Sequence, residues 1–265
     1  MGHINLFAKG NVDVHDSLHS CRVGGEVRWN GVNEVMRARC PGALIRLRHE
    51  TSGGTEALLA ADGAPPEEII ARDDLLGPHP ARSQFSAALF ESAADAVILS
   101  ILPDVFTELV RHRRKGFLFF PYGRETWPAV DRQWLASDFE AIGKLDAARS
   151  MANFEGILER LRRTSQAPLL IYNLSPVIPG EWIHCFEGLA DGLSTRMRQF
   201  NLALIDLSAR TGVSIVDVEG IVAAAGAQRM KLDALHLTPD GYALVAEAVV
   251  RILDDLGVVS MSRHV

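Results

Sequence analysis

The sequence has 265 residues, of which 48% are hydrophobic and 23% are charged, and its formal net charge is −6 at pH 7. This length and composition suffice for one large hydrophobic core, so we predict a single domain over residues 1–265. An acidic chain lacks the basic surface that nucleic acids and anionic membranes require, and it contains no run of about 18 apolar residues. We therefore expect neither nucleic acid nor a membrane as partner.

Short apolar runs rich in Ile, Leu and Val alternate along the chain with helical patterns. The runs are typical of strands buried on both faces, and they lie at residues 4–8, 43–47, 96–102, 169–172 and 213–216. The helical patterns lie at residues 32–39, 82–93, 139–163, 189–211 and 238–256. Thr238 and Pro239 open the last one as N-cap and first helical residue. The alternation predicts a mainly parallel sheet with helices on both faces, a three-layer α/β/α sandwich.

Two segments interrupt this alternation. Residues 63–80 carry four prolines and two glycines, which predicts an extended surface loop with at most a short helix, close enough to a site to flank it. Residues 105–122 contain two β-prone runs around Arg113-Arg114-Lys115-Gly116. This pattern predicts an inserted β-hairpin with Gly116 at the turn.

The cysteines and the N-terminus indicate the compartment. Cys21, Cys40 and Cys185 are widely spaced and form no CxxC pair, which disfavours a disulfide framework and a structural zinc site. The first residues lead directly into a strand pattern, without the basic and apolar regions of a secretion signal. We expect reduced thiols and a cytoplasmic protein.

Two distant segments carry residues suited to acyl chemistry. Asp233 precedes His236 by three residues, just before the last helical pattern, and Ser17 lies near the first strand. An aspartate can hold a histidine in the tautomer that accepts the proton of a serine hydroxyl. Each residue also has a structural interpretation: Ser17 as a helix N-cap, and His236 as a buried structural histidine. The loop position of His236 and the pairing of the segments favour chemistry.

The order of these motifs resembles the SGNH, or GDSL, hydrolase superfamily over nearly the whole chain. Asp16-Ser17-Leu18 matches three of the four GDSL positions, with His15 in place of glycine, and the block from Asp233 to Tyr242 matches the closing motif. The resemblance implies a flavodoxin-like α/β/α fold, a serine nucleophile in a Gly-Asp-Ser motif after the first strand, and an Asp-x-x-His pair. It therefore implies that Ser17, Asp233 and His236 are catalytic, with His15 and Asp16 near the substrate.

The resemblance also implies an oxyanion hole. The main-chain N–H groups of Ser17 and Gly53 would contribute, because a glycine without Cβ allows a carbonyl to approach closely; two glycines after a strand also simply make a turn. The family's third block ends in Asn-Asp, whereas this chain has Pro103-Asp104. Asp104 matches as a substrate-site residue, and the missing amide donor is expected from Asn173 or Asn11.

The sequence leaves several functions open. The predicted activity is serine-dependent ester hydrolysis or acyl transfer through an acyl-enzyme, on a small-molecule ester, with acyl-coenzyme A or an acyl-carrier protein as further partners. The cationic residues of the hairpin (Arg111, His112, Arg113 and Arg114) suit either a solvated turn or such an anionic group. We expect no cofactor and no metal, since the histidines and aspartates around Ser17 match no metal motif. The alternatives are a catalytically silent binding protein and metal-assisted chemistry at those residues.

Overall fold

A computed structural model describes residues 2–23, 26–179 and 192–261. Within this part of the chain no helix is both long and apolar enough to cross a membrane. Cys40 is buried, whereas Cys185 lies outside the described residues.

Ten strands and thirteen helices are assigned in the described residues. The strands are β1 (Gly2–Lys9), β2 (Cys21–Val23), β3 (Glu26–Trp29), β4 (Ala43–Glu50), β5 (Ala96–Ser100), β6 (Val110–His112), β7 (Leu118–Phe119), β8 (Phe139–Ala141), β9 (Leu169–Tyr172) and β10 (Ser214–Val216). The helices are α1 (Val12–Leu18), α2 (Val32–Arg39), α3 (Thr55–Ala60), α4 (Glu67–Ile70), α5 (Ala81–Gln84), α6 (Leu102–Phe106), α7 (Ala129–Asp138), α8 (Ala147–Arg162), α9 (Leu193–Thr211), α10 (Val218–Ala225), α11 (Ala227–Met230), α12 (Pro239–Asp255) and α13 (Val258–Met261). Short 3-10 helices lie at Asp73–Leu76, Ala88–Phe90 and Arg124–Thr126.

Five parallel strands form the central sheet, in the order β10-β9-β5-β1-β4. This is the flavodoxin-like order, in which the chain moves first to one side of β1 and then to the other. In such sheets ligands bind beyond the carboxyl ends of the strands, where the direction of winding reverses. The carboxyl ends of β1 and β5 are therefore where this fold positions a site.

The chain divides into two compact units. The first comprises Met1–His49, Ala93–Leu102 and Gln166–Val265, and it contains the parallel sheet. Alternate sheet residues such as Ala8, Ile98 and Leu170 are buried in one core cluster with residues of α1, α2 and α12. Every residue of β5 is buried, so the sheet is covered on both faces. This is the predicted α/β/α fold.

The second unit comprises Glu50–Ser92 and Pro103–Ser165. Its core is aromatic, with Phe119, Trp127 and Phe139 buried together beside the antiparallel sheet β7-β6-β8. The predicted hairpin is present as β6 and β7, with Gly116 at φ +77° in its turn. That the two units form a single domain stays a prediction.

Three predicted segments differ from the structure. In the predicted helix 82–93, α5 ends at Gln84 because the Phe85 carbonyl accepts a hydrogen bond from Gly63 N–H, 2.9 Å away. In the predicted helix 139–163, the first residues pair with β6 as β8, and Asp146 starts α8 by accepting the N–H of Arg149. The predicted hairpin 105–122 is shorter, because its first residues belong to α6. Residues 189–191 of the predicted helix 189–211 lie outside the described residues.

Candidate active site

Four polar side chains meet beyond the carboxyl ends of the central strands. The hydroxyl of Ser100, the last residue of β5, donates a short hydrogen bond to Oδ2 of Asp13. The phenol of Tyr172, the last residue of β9, lies 3.1 Å from Ser17 Oγ. Burial raises the pKa of the Asp13 carboxyl, an effect that the Ser100 hydrogen bond opposes. Burial likewise raises the pKa of Tyr172. The cluster is thus a hydrogen-bonded group at the carboxyl end of the sheet, where this strand order positions a site.

Ser17 is fully buried within α1. Its hydroxyl lies 2.9 Å from the carbonyl oxygen of Asp13 and 3.1 Å from that of Val14, so it donates back to its own helix while accepting from Tyr172. Among the described residues, no hydrogen bond joins Ser17 to His236. In this arrangement the hydroxyl is not available to a substrate. The nucleophile role of Ser17 stays a prediction that the geometry does not favour.

Ser17 does not lie where the resemblance places the nucleophile. That position directly follows the first strand, but the residues after β1 are Gly10, Asn11 and Val12, none of which carries a hydroxyl. Helix α1 begins at Val12 and ends at Leu18. Asp16-Ser17 therefore lies at the end of this helix, whereas the sequence interpretation has a helix begin there.

Asp233 and His236 form the predicted pair on the loop before α12. Nδ1 of His236 lies 2.8 Å from Asp233 Oδ2, and the main-chain N–H groups of Leu235 and His236 both donate to Asp233 Oδ1 at 2.8 Å. Partial burial acts to raise the pKa of Asp233, but these donors and the imidazole outweigh it, so the pKa lies below its usual value. The two side chains are 56% and 44% exposed, so a small molecule can reach the imidazole.

A second set of contacts fixes the loop that carries this pair. Lys231 pairs with Leu237 in an isolated antiparallel bridge, and Leu232 N–H donates to the His236 carbonyl at 2.9 Å. The buried ammonium of Lys231 donates to the carbonyl oxygens of Ser175 and Ala234 at 3.0 and 3.3 Å. Sequence reasoning missed Lys231, because a lysine before a turn ordinarily indicates an exposed side chain.

Asn173, a predicted oxyanion donor, follows β9 and is buried. Its Nδ2 donates to Asp217 Oδ1 at 2.8 Å, and its Oδ1 accepts from Glu219 N–H at 3.1 Å. These contacts tie the end of β9 to the start of α10. Its oxyanion role stays a prediction, and so does that of Asn11, which precedes α1.

Comparison with known proteins gives similar structures but no similar sequences. No protein-family model matches the sequence, and no curated protein matches it. A member of the lipolytic G-D-S-L family from Veillonella parvula has a similar structure, with 11% identity over 95% of this chain and 98% of that chain and a TM-score of 0.50. The chain has the GDSL hydrolase fold. A catalytic mutant of an acetylxylan esterase from Geobacillus stearothermophilus is also similar, with 14% identity, coverages of 95% and 94%, and a TM-score of 0.52.

A third structure extends the likeness. An α/β hydrolase enzyme from the metagenome of Lake Arreo, Spain, is 16% identical over 97% of this chain and 96% of that chain, with a TM-score of 0.50. Likeness at such low identity is a likeness of fold, and function must be argued from the residues of the site.

Two of the predicted site residues, Gly53 and Asp104, belong to the second unit. Asp104 is buried, and its carboxylate accepts hydrogen bonds from Thr55 N–H at 2.7 Å, Thr55 Oγ1 at 2.6 Å and Ser150 Oγ at 2.5 Å. Burial raises its pKa, which these donors oppose. Asp104 thus ties α3 to α8, and no observation gives it the predicted contact with substrate.

Gly53 also has a structural contact in this unit. Its carbonyl oxygen accepts the hydroxyl of Thr107 at 2.8 Å. The neighbouring Gly54 has the stricter need for glycine, because its φ is +123° and a Cβ there would lie 2.9 Å from Asp104 Oδ1. The oxyanion role of Gly53 stays a prediction.

His15 and Asp16, the predicted substrate residues, are more exposed than the buried Ser17 of the same helix. Nδ1 of His15 is 2.7 Å from Asp16 Oδ1. The imidazole of His15 stacks on that of His19 with centroids 4.6 Å apart, and His49 from the end of β4 lies 5.5 and 5.4 Å from the two rings. Burial and the neighbouring His15 lower the pKa of His19. The sequence did not indicate that His49 joins this group.

The cavities of the first unit differ greatly in size. A groove of about 1060 Å³ along α2 and α12 is lined by none of the predicted site residues. A cavity of about 20 Å³ is lined by Asp13, Tyr172, Asn173 and Lys231 together with Ala234 and Leu235 of the loop that carries His236. This volume suits one water molecule, which such polar groups can hold.

Proposed function

We propose that this chain is an ester hydrolase in which His236, oriented by Asp233, is the general base. The observation that carries the proposal is the 2.8 Å contact between His236 Nδ1 and Asp233 Oδ2 on a loop that is exposed yet held by main-chain hydrogen bonds. A backbone fixed in this way keeps an exposed imidazole oriented without cost at the moment of reaction. The GDSL fold, which includes an acetylxylan esterase, supports an ester as substrate.

The hydrogen bond to Asp233 selects the useful tautomer. With Nδ1–H donated to the carboxylate, Nε2 of His236 carries the lone pair that accepts a proton from the nucleophile. The imidazolium formed is stabilised by Asp233, and it returns the proton to the departing alkoxide. General-base assistance of this kind contributes about 100- to 10,000-fold in rate.

Water is the nucleophile that fits this arrangement with the least rearrangement. Attack by Ser17 requires its hydroxyl to leave the carbonyl oxygens of Asp13 and Val14 and the phenol of Tyr172, all within a fully buried site. A water beside the exposed His236 needs no such change. We therefore propose direct hydrolysis, and the acyl-enzyme on Ser17 is the competing route.

Acyl transfer to coenzyme A or a carrier protein depends on that competing route. Three of the four cationic residues proposed to meet its phosphates have acidic neighbours: Arg111 and Arg113 lie 3.9 and 3.4 Å from Glu140, and the buried His112 lies 3.2 Å from Glu68. Carboxylates that already neutralise these groups weaken their attraction for phosphate. Hydrolysis is thus the better supported reaction.

A binding protein without catalysis is the second candidate. It is favoured by the absence of a hydroxyl at Gly10, Asn11 and Val12, and by proline at position 103 in place of an amide donor. It predicts a folded protein that binds small molecules while leaving esters intact.

Hydrolysis of short-chain nitrophenyl esters, combined with fluorophosphonate labelling and intact-mass analysis, separates these functions. For direct hydrolysis we expect wild-type turnover without a serine adduct and a loss of at least about 100-fold in His236→Ala. An adduct on Ser17 would replace the water route by the acyl-enzyme. Turnover that is absent, or equal in wild type and His236→Ala, would overturn the proposed hydrolase; the first result would leave the binding protein.

A further inference from the structure

We propose that His15, His19 and His49 form a binding site for one divalent transition-metal ion of the zinc class. The site shares no residue with the Asp233–His236 pair, and the proposed hydrolysis uses none of its residues. Two of the histidines come from one end of α1, and the third comes from the end of β4.

The three imidazoles are close enough to share an ion. One ligand nitrogen from each ring can be chosen so that all three lie within 4.8 Å of one another. Ligand nitrogens around a tetrahedral zinc ion, with bonds of 2.0–2.1 Å, lie about 3.3 Å apart. The widest pair must therefore close by about 1.5 Å. Rotation of the side chains can supply this, since His15 is exposed and the other two rings are partly exposed.

Hydrogen bonds from one nitrogen of His15 and one of His49 leave the other nitrogen of each ring to bind an ion. His15 donates from Nδ1 to Asp16 Oδ1 at 2.7 Å, which leaves its lone pair on Nε2. His49 donates from Nε2 to the carbonyl oxygen of Gly10 at 3.0 Å, which leaves its lone pair on Nδ1. A carboxylate or carbonyl partner of this kind is the usual support of a metal-bound histidine.

His19 supplies the third nitrogen. Its Nε2 is buried and has no hydrogen-bond partner among the described residues. A buried nitrogen without a partner carries an energetic cost, which a bound cation would remove. Three neutral imidazoles with no carboxylate in direct contact suit Zn²⁺, Co²⁺, Ni²⁺ or Cu²⁺ better than Mg²⁺ or Ca²⁺. Three protein ligands also leave one position open for water or a substrate oxygen.

Calorimetric titration of Zn²⁺ into chelator-treated, tag-free protein tests the site. We expect wild type to bind one equivalent of Zn²⁺. Asp16→Asn, which changes only the hydrogen-bond partner of His15, should weaken binding by roughly 10- to 100-fold. His19→Ala and His49→Ala, which each remove a ligand, should weaken binding by more than that. His3→Ala is the matched control, because His3 is exposed on β1 outside the cluster, and it should bind as wild type. His49→Gln serves as a second variant if His49→Ala does not fold.

Binding by His236→Ala separates this proposal from the proposed hydrolase, because that variant lacks the general base but keeps all three ligands. We expect it to bind Zn²⁺ as tightly as wild type, and the Co²⁺ form of both proteins to give the absorption of a nitrogen-ligated ion. No saturable binding by folded wild type would overturn the site. Equal affinity in wild type and the folded His19 and His49 variants would do the same.

Discussion

Ser17→Ala tests whether the buried serine is structural. The substitution removes the hydroxyl that lies 3.1 Å from the Tyr172 phenol, where both side chains are fully buried. Leaving a buried hydroxyl without this partner costs about 1–3 kcal/mol. The lost back-bonds to Asp13 and Val14 matter less, and alanine regains about 0.5 kcal/mol as the better helix former. We expect the free energy of unfolding to fall by about 1–2 kcal/mol.

Urea unfolding followed by circular dichroism measures this change. With a slope of about 2–3 kcal/mol per molar urea, the midpoint should fall by about 0.5 M. Ser137→Ala is the matched control, since its hydroxyl makes the same back-bonds to Gln133 and Trp134 from an exposed position. It should change stability by no more than about 0.5 kcal/mol.

A double-mutant cycle with Tyr172→Phe isolates the Ser17–Tyr172 contact. The double variant should be no less stable than Ser17→Ala alone, because removing both hydroxyls leaves no unpaired group, and the coupling should be about 1 kcal/mol. Ester hydrolysis by Ser17→Ala should stay within about threefold of wild type. The reasoning is refuted if Ser17→Ala keeps wild-type stability but loses both hydrolysis and a fluorophosphonate adduct present in the wild type.

Three further predictions concern the loop and the second unit. Lys231→Met should lower kcat about tenfold and speed amide exchange at Leu232, because the ammonium no longer holds the Ser175 and Ala234 carbonyls; unchanged exchange would contradict this. Asp233 has a lowered pKa, so its stabilisation of the loop is present above its usual value of 3.8 and is lost as the pH falls through the lowered pKa. The protection of the Leu235 and His236 amides, measured against their intrinsic exchange rates, should therefore fall over that window in wild type but not in Asp233→Asn. Asp104→Ala should lower the free energy of unfolding by about 2–4 kcal/mol, because the Thr55 and Ser150 donors lose their acceptor. Since the Asp104 pKa is raised above 3.8, the stability that this side chain contributes is fully present below that value and declines as the pH rises through the raised pKa. The difference in free energy of unfolding between wild type and Asp104→Ala, measured in urea, should therefore be larger near pH 4 than near pH 7.

Local sequence patterns determined the layers of this protein. Strand β9 and helix α2 have the predicted bounds, because each combines an uninterrupted local pattern with clear end signals. Thr238 caps α12 by accepting Gly241 N–H, and Asp233 contacts His236 across three residues of one loop. These features depend on neighbours in the chain, so the sequence alone predicted them.

Tertiary structure decided the environment of each side chain. Ser17 has a motif typical of a reactive turn, yet α1 starts at Val12 and turns its hydroxyl toward Tyr172, a residue distant in sequence. His49 joins His15 and His19 only because β4 and α1 end close together. Burial of Lys231 likewise depends on carbonyl groups that its own segment does not reveal. Local patterns determine which helices and strands form, whereas burial and partners depend on packing between segments far apart in the chain.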